Sequence, residues 1–215
     1  MKISHGFTLI EMAVVLVIIS LLIGGLLIPL SEQLNQKRLE ATQQSLEQIK
    51  EALIGFAIID GRLPCPASET PVPGKEGVED SSLCNTEGDL PWATLALDTS
   101  HSSDAWGTTF RYRIDERYTN QPFPNPPNTS SGLVVQDTQQ PTPLSLVAPK
   151  TDGTSRVIAI IFSYGKDGQP NDENDTTDNN YAQDDYVENK FDDRLIWLPK
   201  SILINRLVAA GKWPP

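Results

Sequence analysis

The chain has 215 residues, room for one compact domain with an anchor or at most two small domains. Its 17 basic and 28 acidic residues give a formal net charge of -11, which repels phosphate backbones and argues against nucleic acid as a partner. Two cysteines, Cys65 and Cys84, and two histidines, His5 and His101, are a poor stock for a four-ligand zinc site.

The chain opens on a short polar leader, Met1-Lys2-Ile3-Ser4-His5-Gly6. Residues 7–30, FTLIEMAVVLVIISLLIGGLLIPL, then carry a single charge, Glu11. About 20 apolar helical residues cross a bilayer core, so this stretch is long enough. A secretory signal peptide has a shorter core followed by a small-x-small cleavage site, and no such site follows. On the apolar run alone, a simple signal anchor is an equal reading. Glu11 weighs against it. A carboxylate in hydrocarbon costs roughly 2.5–3.5 kcal/mol. A lone anchor gains nothing in return, whereas a helix that meets another polypeptide in the membrane gains an ion pair.

Gly6-Phe7-Thr8-Leu9-Ile10-Glu11 and the apolar run after it resemble the cleavage and methylation motif of type IV prepilins. That family includes type IV pilins and the pseudopilins of type II secretion and competence systems. The resemblance implies cleavage after Gly6 by an inner-membrane prepilin peptidase and N-methylation of Phe7. It further implies that Glu11 pairs with the terminal amine of Phe7 in a neighbouring subunit, neutralising two charges that are costly apart. Membrane lipid, sister pilin or pseudopilin subunits and an inner-membrane assembly platform are the implied partners. No cofactor is required. The family proline falls where Ile28 stands, whereas this chain has Pro29. The implied topology is single-pass in a bacterial inner membrane, with the leader cytoplasmic and the C-terminal domain periplasmic. Lys2 agrees with that orientation; Lys37 and Arg38 weakly oppose it.

Residues 31–59 continue as an amphipathic helix. Leu39, Leu46, Ile49, Leu53 and Phe56 fall on one face, and no proline interrupts. With the membrane stretch this makes one helix of roughly 50 residues, about 75 Å at ~1.5 Å per residue. From residue 60 prolines and glycines multiply, and a periplasmic domain over 60–215 is expected. In that compartment disulfides persist, so Cys65 and Cys84 are expected to bridge, with two buried free thiols as the alternative.

Ser103-Asp104-Ala105-Trp106-Gly107, then Phe110-Arg111-Tyr112-Arg113, reads as a turn entering a strand and resembles a segment of major type II pseudopilins. A turn at Gly107 would fold Trp106 onto the core. His101, in a serine-rich stretch, reads as an exposed loop histidine rather than a catalytic one. Residues 119–131 form a Pro/Asn-rich loop. Strands are expected at 133–135, 144–147, 156–163 and 194–198, and a short helix over 201–210 closed by Gly211. The fold class is therefore α+β and pilin-like: a long N-terminal helix, a transmembrane half and an amphipathic half, packed on a small antiparallel sheet with long loops and a short C-terminal helix.

Ten of the 27 residues in 167–193 are acidic, which reads first as a solvated loop. The alternative is calcium, which takes six to eight oxygen ligands. Ser163-Tyr-Gly-Lys-Asp-Gly168 resembles the start of the pseudopilin calcium loop, and that resemblance implies Asp167 as a ligand, with Asp184 or Asp185 downstream. No nucleophile elbow, phosphate loop or dinucleotide fingerprint occurs. The reading is a structural subunit rather than an enzyme; its rival is a periplasmic enzyme or adhesive module on a signal anchor.

Overall fold

The computed structural model describes residues 8–125, 127, 132–138, 144–147, 157–171, 174, 179–187 and 190–214, the side chains of 23–30 excepted. Gly6 and Phe7, the expected processing pair, lie outside these residues. The chain divides into two compact units, Met1–Glu40 and Ala41–Pro215. Helix α1, Leu9–Asp60, belongs in part to each. Among the described residues no helix is long and apolar enough to cross a membrane. Within the apolar stretch of the sequence, side chains are described only from Thr8 to Leu22.

The second unit is built on the apolar stripe of α1. Leu46, Ile49 and Leu53 are fully buried and Phe56 is partly so, as the spacing requires; Ile54 and Ala57 widen the stripe. The helix stops where Gly61 turns to a φ of +66°, a conformation that suits glycine, and its amide donates to the Ala57 carbonyl.

A four-stranded antiparallel sheet packs on that stripe in the order β1 (Gly88–Asp89), β2 (Arg111–Ile114), β4 (Val157–Ser163), β6 (Arg194–Pro199). A separate parallel pair, β3 (Val134–Gln136) with β5 (Asn180–Ala182), forms a second small sheet. Every residue of β4 is buried, which explains its uninterrupted apolar sequence. Ile158, Ala159 and Ile161 join the core shared with α1, whereas Val157, Ile160 and Phe162 join a second cluster with Leu133, Val135 and Tyr181. The central strand is thus covered on both faces. The short C-terminal helix α2, Lys200–Ala209, follows β6 directly with Pro199 as its N-cap residue, buries Leu203 and Leu207, and ends before Gly211 at φ +67°.

Three local expectations change. Residues 144–147 do not form a strand; Ser145 makes one isolated bridge to Gln136. The parallel β3–β5 pair was not foreseen, because three-residue strands carry too little periodicity to read. Trp106 is half-buried and joins neither core cluster; the Asp104–Gly107 turn closes through Asp104, whose carboxylate accepts from the Trp106 and Thr108 amides at 2.9 Å.

Candidate functional site

The start of α1 carries a reciprocal cap. Thr8 precedes the helix, and its Oγ1 accepts from the Glu11 amide at 3.3 Å. Glu11 Oε2 accepts in turn from the Thr8 amide at 3.4 Å, and the Met12 amide donates to the Thr8 carbonyl at 3.2 Å. This is a capping box, which satisfies two helix-end donors at once. Its signal, Thr-x-x-Glu before an apolar run, stood in the sequence and was missed. Around Glu11 the helix shows bare hydrocarbon: Leu9 is 89% exposed and Ile10 73%. Among the described residues Glu11 makes no salt bridge, and its carboxylate, folded back on the Thr8 amide, sits amid exposed apolar side chains.

Cys65 and Cys84 form a disulfide, with Cα atoms 4.5 Å apart. The bridge closes a loop that is pinned from within. Glu79 takes a two-pronged ion pair from Arg62, one bond at 2.8 Å, and also accepts from the Cys65 amide at 3.0 Å. The hydrogen bond from Arg62 holds the Glu79 carboxyl below its usual range, against the burial that would raise it.

The same loop feeds a larger ion cluster. Arg111 of β2 reaches Glu69, Glu87 and Asp89. The Glu87 side chain is only 4% exposed, and its two oxygens also accept from the hydroxyls of Tyr164 and Tyr181, each at 3.1 Å. Burial pushes the Glu87 and Asp89 carboxyls up, with Arg111 pulling both down. For Arg111, burial works against the charge, but the Glu69 hydrogen bond and the charges of Glu87 and Glu69 outweigh it and the guanidinium is held above its ordinary value.

The predicted calcium carboxylates do not gather. Asp184 accepts from the Thr138 amide and hydroxyl, and from the Asp185 amide at 2.8 Å; Asp167 accepts from the Gln169 amide at 2.8 Å. Among the described residues no group of three or more His, Cys, Asp or Glu side chains is arranged to hold a metal ion.

What the structure places beside Asp167 is a pair the sequence reading passed over, Asp192 and Asp193. Asp192 Oδ2 accepts from the Lys166 and Asp167 amides at 2.6 and 3.1 Å. Asp193 Oδ2 accepts from the Asn171 amide and Asn174 Nδ2, both at 2.8 Å. Within the described part of the acidic tract Asp192 and Asp193 are tied to the backbone, while Asp167 and Asp185 stay exposed. Asp193 Oδ1 is buried without a partner, and burial pushes this carboxyl up to about 7, against its two hydrogen bonds. The charges of Asp192 and Asp167 push in the same direction as burial. The signal was an Asp-Asp pair immediately before the strand Arg194–Pro199.

His101 is not a loose loop residue. Its Nε2 lies 2.9 Å from Gln48 Oε1 of α1 and its Nδ1 3.1 Å from Asp98, so it fastens a short turn to the helix. Ser100 Oγ donates to Asp98 and lies 3.4 Å from His101 Nδ1, while the second imidazole nitrogen is taken by Gln48.

With the Thr8–Glu11 cap and its apolar surround in view, the match to known families falls on the same residues. A model described as the prokaryotic N-terminal methylation motif matches residues 1–27. The chain has a prepilin-like N-terminus. No curated protein and no solved structure matches the chain. The prepilin-like assignment thus rests on the first 27 residues, and the α+β architecture behind them is consistent with a pilin-like fold.

Proposed function

We propose that the chain is a structural subunit of a pilus-like fibre, a pseudopilin or minor pilin, anchored singly in a bacterial inner membrane and assembled through α1. Prepilin peptidase cleaves after Gly6 and the new amine at Phe7 is methylated. Glu11 of one copy then pairs with that amine on the next. One observation carries this reading: a methylation motif ends in a helix whose exposed face is hydrocarbon interrupted by one acid. Exposed apolar area of this kind requires either lipid or a second helix. Lipid alone gives no compensation for a carboxylate, whereas a neighbouring amine does. The Trp106-Gly107 turn and the loop starting at Asp167 favour a secretion-type subunit.

Mass spectrometry of the natural protein is expected to find methylated Phe7 at the N-terminus, and Glu11→Ala is expected to keep the protein in the membrane but out of sedimentable fibres. An intact Met1, or fibres formed normally by the Glu11 variant, overturns the proposal and favours an anchored enzyme or adhesive module.

A further inference from the structure

At the C-terminal end of α1 the second unit has an open groove of about 560 Å³, floored by Phe123 and Leu207 and walled by Ile59 and Pro122, with Asp60 and Lys212 at its rim. Ile59 is 81% exposed although it stands at the mouth of an apolar groove. The helix end beside it carries the Asp60 carboxylate. The last turn of α1 holds no basic residue, and it ends on Asp60 itself. Ala57 and Asp60 have their carbonyls capped, by the Gly61 amide and by Gln121 Nε2, but the Ile58 and Ile59 carbonyls receive no hydrogen bond from the described residues. Arg62, the nearest cation in sequence, pairs with Glu79 and also feels the charge of Asp60. A helix C-terminus of this kind favours a cation. The groove therefore suits an apolar side chain with a positive charge one turn away.

The first unit offers such a ridge. Leu34 is 51% exposed, and Lys37 and Arg38 follow at three and four residues, hence on the same helix face. Both cations are exposed and make no ion pair among the described residues. Glu40, one turn on from Lys37, supplies an acid to match Lys212. We propose that the Ile59 groove of one copy receives the Leu34–Lys37–Arg38 ridge of a second copy, with Asp60 and the open carbonyls facing the two cations. The occupant is a second copy because both the apolar element and both charge signs are matched within this chain. The contact rests on the assembly reading above and extends it from the membrane stretch to the region beyond it.

The test uses two full-length variants produced together, Ile59→Cys in one copy and Leu34→Cys in the other. Both positions are exposed, and the native cysteines are already joined to each other. A short bismaleimide is expected to give a covalent dimer when the two are co-produced and none when either is alone. Asp60→Lys is expected to lower the dimer yield roughly two- to five-fold, the range of an exposed ion pair, and Lys37→Glu with Arg38→Glu to restore it. Sedimentable fibres without the 59–34 dimer overturn this contact and leave the assembly reading intact. Loss of fibres from unsubstituted protein, with an uncleaved Met1, overturns both.

Discussion

Replacing Arg111 by Met tests how charge is managed in the interior of this domain. The methionine keeps the packing of the stem but leaves three carboxylates without their cation. Their exposures differ, and so do their expected costs. Glu69 is 59% exposed and loses little; exposed pairs contribute about 0–1 kcal/mol. Asp89 is 23% exposed and Glu87 only 4%. Removing one partner of a buried pair costs about 3–5 kcal/mol. Glu87 keeps the hydroxyls of Tyr164 and Tyr181, so roughly 3–4 kcal/mol is expected at pH 7, a large share of a typical domain stability of about 5–15 kcal/mol.

The sign of the pH dependence follows from Glu87. Burial already raises its folded-state carboxyl, and loss of the cation raises it further. A raised carboxyl binds protons that the unfolded chain releases, so the variant loses stability as pH climbs from the unfolded carboxylate range through the folded one. Urea unfolding of both proteins at pH 4.5 and pH 7 is the assay. The deficit is expected to be larger at pH 7, and Glu87→Gln added to the Arg111 variant is expected to recover about half of it. An equal deficit at both pH values, or no recovery in the double variant, refutes the account of Glu87 as a buried charge held by Arg111.

Changing Cys65 and Cys84 together to Ser should cost roughly 2–4 kcal/mol and lower Tm, because the bridge restricts the unfolded chain; an unchanged Tm would show that Arg62 and Glu79 alone pin the loop. Gly77→Ala should destabilise far more than Gly74→Ala. Both have positive φ, but a Cβ at Gly77 collides with the Trp92 ring while Gly74 faces open space, so about 1–3 kcal/mol separates them by thermal melting. Thr8→Ala should remove about 0.5–2 kcal/mol from the first turn of α1. Faster amide exchange at Glu11, with the C-terminal half of α1 unchanged, is the expected reading; unaltered exchange would show the cap to be idle.

Much of the architecture was legible because it follows from local chemistry. The stripe Leu46, Ile49 and Leu53 repeats at helical spacing, and only one helix face can meet a core. The apolar run of β4 has no polar alternation, which matches a strand covered on both sides. Glycine at the ends of α1 and α2 stops each helix where the chain must turn to positive φ. The prepilin-like motif was equally plain, since leader, glycine, phenylalanine and acid occur within one short stretch and no tertiary contact is needed to recognise them.

What the sequence could not reveal is how distant charges find one another. Arg111 meets Asp89 and Glu87 because β2 pairs with β1, it meets Glu69 from the disulfide-closed loop, and Tyr164, just after β4, and Tyr181 of β5 reach Glu87. Asp192 and Asp193, rather than Asp184 and Asp185, close the acidic loop because they lie at the root of β6, where a buried strand fixes them against the amides of Lys166, Asp167 and Asn171. Helix and strand periods are written in neighbouring residues. Ion clusters are decided by which strands pair and in what register, and those pairings depend on the burial of the whole sheet.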